Sequence, residues 1–314
     1  MKPAGRLALG AAVLAGAAHA APALTAVAPL RRRMLPDLCG VGDPRHVALT
    51  FDDGPDPAST PAFLTALDEL GVRATFFLLG RMLRRAPGLG RELAAAGHEV
   101  ALHGWGHRCL LARGPAGTYD DLARGRDLIA EVTGRAPRWY RPPYGVLTAA
   151  ALTAARRLGL TPVLWTAWGR DWTARATPAS VLATVRKDLA GGGTVLLHDS
   201  DCTSAPGAWK ATLGALPALV SGIRESGLAV GPLAEHGTGG LFVRSLPCGS
   251  ARPAQGGGPG APPGAGGPVP AAGLSAATRA AGPSAVAFAA GQPAAAPGSG
   301  ALVPGTVRGA GRSA

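Results

Sequence analysis

Two rhythms of apolar and polar positions alternate through the middle of the chain. Short apolar runs occupy His46–Phe51, Ala74–Leu79, His98–Leu102, Arg138–Arg141, Leu160–Thr166, Thr194–His198 and Leu228–Leu233. They are too short for helices and are bounded by turn residues, which predicts strands. Between them, apolar residues recur three and four positions apart over Thr60–Leu70, Pro87–Ala96, Tyr119–Val132, Thr148–Leu158, Pro178–Leu189 and Ala208–Ser221. Gly71, Gly97, Gly134, Gly159 and Gly191 close five of these segments, as glycine does just past a helix end. Seven strands in alternation with helices predict an α/β architecture with parallel strands.

The two ends of the chain break this rhythm. Residues 1–33 begin with Lys2 and Arg6, continue through an Ala/Gly-rich apolar run from Leu7 to Ala18, and offer Ala18-His19-Ala20 as a small-residue cleavage site before Ala21. That fits a secretory signal. An uncleaved membrane anchor is the rival, since apolar character continues to Leu30 and Arg31-Arg32-Arg33 would suit a cytoplasmic flank. Pro22, Pro29 and His19 favour the signal. Both readings place residues 34–248 in an exterior compartment, secreted or in the cell envelope. Residues 249–314 hold 16 Gly, 10 Pro and 20 Ala with Phe288 as their only aromatic, too little apolar mass to offset the entropy of ordering. They are expected to form a disordered tail or spacer, and association with membrane or cell wall is expected to run through the termini.

Charge adds little to this picture. The net +12 is concentrated in the ends: five Lys/Arg lie in 1–33 and four Arg in 249–314, without acids, leaving 22 basic against 19 acidic residues between. No basic helix or aromatic–basic interleaving suggests nucleic-acid binding. Cys39, Cys109, Cys202 and Cys248 lack CxxC spacing, which excludes zinc-finger and thioredoxin readings. A Cys39–Cys248 disulfide would tie the domain's ends; four unpaired thiols are the alternative. No feature sets an oligomeric state.

The candidate chemistry lies at strand ends. Asp52 and Asp53 are adjacent carboxylates closing the first strand, and like charges so close resist joint ionisation unless a cation or donor stabilises them. His103 and His107 follow the third strand. Two imidazoles and one carboxylate leave a fourth position open, the pattern of a catalytic zinc site. Arg141, Asp171 and His198 also fall at or just after strand C-termini, the face that carries active sites in parallel sheets and barrels.

Five ordered motifs over residues 41–236 resemble the polysaccharide deacetylases with a NodB homology domain, carbohydrate esterase family four. They are Thr50-Phe51-Asp52-Asp53-Gly54-Pro55, His103 to His107, Arg141-Pro142-Pro143-Tyr144, Asp171-Trp172 and Leu196-Leu197-His198. The resemblance implies a distorted (β/α) barrel of about seven parallel strands. It implies a divalent metal, usually zinc, on Asp53, His103 and His107. Asp52 would be the general base, Arg141 its charge-assisted partner, Tyr144 the source of a backbone oxyanion donor, and His198 the general acid oriented by Asp171. Trp172 and Leu196 would help line an acetyl pocket. The family usually carries Ser or Thr after the first histidine; Gly104 stands there instead, and loss of that brace bears on metal affinity.

These residues predict a metal-dependent hydrolase that removes N-acetyl groups from an amino-sugar polymer, peptidoglycan or a chitin-type oligosaccharide. Another non-peptide amide or an acetyl ester is an alternative substrate. An inactive carbohydrate-binding envelope protein is a second alternative, although a pure binder has no use for a general acid. Plainer readings exist for single residues. Asp199 or Asp201 could partner His198. Trp105 and Trp172 could stack on sugar, whereas core packing is the default for Trp165 and Trp168. His19, His46, His98 and His236 are expected to be structural or solvated.

Overall fold

The computed structural model describes residues 3–238. Strands β1 (His46–Asp52), β2 (Thr75–Leu78), β3 (Glu99–Leu102), β4 (Trp139–Tyr140), β5 (Thr161–Pro162), β6 (Ala167–Trp168) and β7 (Thr194–His198) form one curled sheet in the order β5-β4-β3-β2-β1-β7-β6. Every pairing is parallel. A short β8 (Ala229–Gly231) pairs with the first residues of β1. Helices α1 (Pro3–Ala20) and α2 (Ala28–Met34) precede the sheet. Helices α3 (Thr60–Glu69), α4 (Gly80–Arg85), α5 (Pro87–Ala95), α6 (Pro115–Thr133), α7 (Ala149–Arg157), α8 (Pro178–Asp188) and α9 (Trp209–Glu225) alternate with the strands. The expected α/β architecture of about seven parallel strands, a distorted barrel, is therefore present as a curled half-barrel. The proposed partner cysteine Cys248 and the tail 249–314 lie outside the described residues; Cys39, Cys109 and Cys202 are not bonded to one another.

The period of two along each strand divides the core. Val47, Leu49, Phe51, Phe76, Leu78 and Leu102 belong to the large cluster that includes the helices. Phe51 stacks on Phe76 at 5.0 Å between centroids and meets Phe63 of α3 edge-on at 5.3 Å. The alternate positions, Ala48, Phe77, Ala101 and Trp139, form a smaller cluster inside the curl with Val163 and Leu233. Thr50, Asp52 and Arg141 continue these interior rows toward the strand C-termini, since successive side chains point to opposite faces.

One expected strand is divided. Leu160–Thr166 contributes only Thr161 and Pro162 to β5, beside β4, and the chain then crosses to β6 beside β7. Residues 163–166 thus bridge the two ends of the curled sheet. Buried backbone polar groups need partners even where a ladder is missing. Here arginines supply them: Arg141 Nη2 donates to Leu164 O (3.0 Å), Arg31 Nη2 to Trp165 O (3.0 Å) and Arg32 Nη2 to Thr166 O. Arg31, only 2% exposed, also donates to Thr25 O and lies 5.3 Å from the Trp165 ring centre. Two of the three arginines read as a basic flank are thus packed against the barrel's seam.

Candidate active site

Strand register brings the predicted residues together. Asp52 lies opposite His198 in the β1–β7 pairing, and Trp168 opposite Leu196 in β6–β7. His103 and Arg141 directly follow β3 and β4, with their N–H groups donating to Leu78 O and Leu102 O. A cavity of about 270 Å3 opens at these strand ends, lined by Asp52, His103, His107, Tyr144, Leu196 and His198. Trp165, Trp168 and Trp172 form its aromatic wall. Trp168 and Trp172 stack at 4.6 Å, and Trp165 sits 5.6 Å from Trp168. Core packing therefore accounts for only part of Trp165 and Trp168; Trp165 packs on the large core with one edge and faces the cavity as well.

Asp53, His103 and His107 converge, with one candidate ligand atom from each lying within 4.8 Å of the others. Nε2 of both histidines is 3.5 Å from Asp53 Oδ1. His103 Nδ1 lies 2.8 Å from Arg141 O, a carbonyl that can only accept. Nδ1 therefore carries the proton and Nε2 presents its lone pair. Burial drives His103 down to about 3, so its imidazole is neutral, as a ligand must be. Burial also lowers His107. Asp53 Oδ1 is buried and has no hydrogen-bond partner, whereas Thr203 Oγ1 donates to Oδ2. A buried carboxylate oxygen without a donor, facing the His103 lone pair and the His107 ring, is costly by itself and is satisfied by a cation. The donor set thus fits a divalent metal.

Beside it, Asp52 Oδ1 accepts from Arg141 Nη1 at 2.7 Å, and the same nitrogen reaches Thr50 Oγ1 at 2.8 Å. Burial pushes the Asp52 carboxyl upward and Arg141 pulls it back without cancelling the rise. Asp52 is therefore more basic than an exposed aspartate. His198 Nδ1 donates to Asp171 Oδ1 (2.8 Å), while Asp171 Oδ2 accepts from the His198 N–H (2.7 Å) and Thr212 Oγ1 (2.6 Å). Burial opposes the imidazolium, but the carboxylate of Asp171, with Asp53 and Asp52 beyond it, raises His198 to about 10. Asp171 is held low by the same contacts against its burial. Asp199 is not the partner of His198: its Oδ2 accepts from Thr60 Oγ1 at 2.6 Å.

Backbone strain concentrates here. Among the described residues, the non-glycine positions with positive φ are Asp53 (81°), His107 (53°), Tyr144 (59°) and Arg170 (50°). Two belong to the metal cluster, one lines the cavity with its ring 4.5 Å from that of His107, and one precedes Asp171. Such conformations cost about 1–3 kcal/mol each and persist where the surroundings over-determine them. Gly104 adopts φ +83°. The turn between the histidines is braced from α6, because Asp121 Oδ2 accepts from the Trp105 N–H at 2.8 Å and Oδ1 from Arg113 at 2.7 Å. Thr203 and the Asp121 brace escape sequence reasoning, since nothing in their local pattern links them to residues 16 to 150 positions away.

The profile of the polysaccharide deacetylase family matches residues 40–163. A chitooligosaccharide deacetylase of Bradyrhizobium sp. (strain ANU 289) is 36% identical over 210 residues, spanning 64% of this chain and 94% of its own length. The chain belongs to the polysaccharide deacetylase family. It is accordingly a hydrolase of that family. A peptidoglycan-N-acetylglucosamine deacetylase of Bacillus cereus is 34% identical over 155 residues, covering 49% of this chain and 72% of that protein. The family 4 carbohydrate esterase of Streptomyces lividans, solved with acetate, superposes with a TM-score of 0.54 at 32% identity, covering 60% of this deacetylase and 93% of the esterase.

Proposed function

We propose that this deacetylase hydrolyses the N-acetyl amide of an amino sugar within a polymer of the peptidoglycan or chitin type. The observation that carries the reading is the gathering at one strand-end cavity of the Asp53–His103–His107 cluster, the Arg141-paired Asp52 and the Asp171-paired His198. Asp53, His103 and His107 would hold a divalent metal, zinc by analogy with the family, which would supply Lewis acidity and lower the pKa of water. Asp52 takes the proton of the attacking water, and Arg141 fixes the orientation of its carboxylate. The Tyr144 backbone N–H donates to the developing oxyanion. His198, kept charged by Asp171, delivers its proton to the sugar nitrogen as the C–N bond breaks. Leu196 and Trp172 enclose the acetyl methyl. The supply of a proton to a poor amine leaving group favours an amide over an ester substrate. The relatives' substrates support the choice of an amino sugar. The apolar α1, with Leu9, Val13 and Leu14 exposed, supports export as a secretory signal or envelope anchor.

The test is acetate release by the full chain from N-acetylglucosamine oligomers and from peptidoglycan. Release should stop on chelation, return with zinc, and fall at least about a hundredfold in Asp52→Asn. Undiminished release by Asp52→Asn, or none from either polymer by the zinc-loaded protein, would overturn the reading.

A further inference from the structure

A second cavity, of about 480 Å3, lies on the other side of the segment that closes the catalytic one. Thr203 lines the first cavity and Cys202 the second. The Cys202 sulfur lies 3.5 Å from the carbonyl oxygen of Asp53 and 3.8 Å from Arg81 Nη2, linking the metal-ligand strand end to the second cavity's guanidinium. Arg81, Arg85 and Asp56 supply its charged groups. Asp56 is already engaged: Oδ1 accepts from the Ala58 N–H (2.9 Å) and Oδ2 from Ser200 Oγ (3.0 Å). Neither arginine has a carboxylate within ion-pair distance among the described residues. Arg81 Nε is buried with no partner, the kind of group that needs an acceptor from elsewhere. The positive surface continues beyond the cavity, where Arg84 and Arg124 lie 5.2 and 3.6 Å from the Trp105 ring centre. The Arg81 N–H donates to Trp105 O, so this ridge is tied to the turn that carries both ligand histidines.

We propose that this cavity binds a carboxylate carried on the saccharide next to the one being deacetylated. The proposal rests on the deacetylase reading and narrows it. In peptidoglycan, N-acetylglucosamine alternates with a sugar whose lactyl ether ends in a free carboxylate wherever the stem peptide has been removed, whereas chitin-type oligomers are neutral. A chain seated in the catalytic cavity and crossing the Cys202–Thr203 segment brings its neighbouring unit to the two arginines. Guanidinium forks match a carboxylate in a bidentate manner. The substrate class selected is therefore an anionic amino-sugar glycan.

The test compares kcat/KM of the metal-loaded full chain on a neutral N-acetylglucosamine tetramer and on a peptide-free peptidoglycan tetrasaccharide. The wild type should prefer the acidic glycan. The double variant Arg81→Gln/Arg85→Gln should reduce the acidic-to-neutral ratio by about tenfold, mainly through KM, and Arg81→Lys/Arg85→Lys should recover part of it. Arg91→Gln, on exposed α5, controls for loss of net charge and should leave the ratio in place. An unchanged ratio in the double variant, or a wild type without preference, overturns the subsite. So does stronger preference for a phosphodiester-bearing glycan. Calorimetric binding of the acidic tetrasaccharide separates the two proposals: affinity lost in the double variant supports the subsite even where no acetate is released.

Discussion

The interior of the curled sheet has two polar ends built from the same residue types. At the strand C-termini, Asp52, Asp53, His103 and His198 stand around a cavity. At the N-terminal end, His46 and His236 are buried beside the half-buried Glu99, and His98 is buried on the helix side of the same edge. There the protein's own groups meet most of their polar atoms, with His46 Nε2 left without a partner. Glu99 Oε1 accepts from Trp139 Nε1 (2.9 Å), and Oε2 accepts from Thr75 Oγ1 (2.7 Å) and the Ala234 N–H (2.9 Å). His236 Nε2 lies 2.9 and 3.0 Å from the carbonyls of Gly40 and Gly192, and its Nδ1 is 2.8 Å from that of His46. His98 Nδ1 accepts from the Ala74 N–H at 3.2 Å. At the other end, Asp53 Oδ1 has no hydrogen-bond partner, and Asp52 and His198 face the cavity. Chemistry follows where such groups gather beside a cavity, rather than from burial alone.

Three changes break or sharpen this contrast. The largest effect is expected from Asp171→Asn. Removing the carboxylate beside His198 lowers the proton affinity of that imidazole, so the rate should fall about a hundredfold or more and its alkaline limb should move to lower pH. A pH–rate profile checks this, and a limb that stays in place would remove His198 from the acid role. At the opposite end, Trp139→Phe strips Glu99 Oε1 of its donor and should cost about 1–3 kcal/mol in urea unfolding, with kcat unchanged. A comparable loss of kcat would show that the two ends are coupled. The smallest effect concerns His98→Gln. Burial, assisted by Arg73, holds His98 down at about 4. Between that value and the ordinary 6.5 the unfolded chain binds a proton that the folded chain refuses, so wild-type stability should decline as pH falls through this window. The variant should flatten that decline, and identical acid profiles would show that His98 is not its source.

The sheet, its parallel order and the gathering of Asp52, Asp53, His103, His107, Arg141 and His198 at one end of it were legible in the sequence, because each depends on local pattern. Short apolar runs set the strands, and polar residues at their C-terminal ends share one face once the strands are parallel. What stayed hidden depends on contacts across the fold. Asp171 and Asp199 are equal rivals on paper; register and Thr60 decide between them. Thr203 reaches Asp53 only through tertiary folding. The undivided strand Leu160–Thr166 was a fair expectation from its apolar character, but curling the sheet requires a crossing there, and Pro162 offers no N–H to continue a ladder.

That crossing has a practical consequence for where the chain can be shortened. The Trp165 and Thr166 carbonyls are held by Arg31 and Arg32, residues that directly follow the apolar N-terminal stretch. A protein trimmed at Ala21 keeps the full clamp on the barrel's closure. One trimmed at Met34 retains a single arm, Arg141, the side chain that also holds the Asp52 carboxylate.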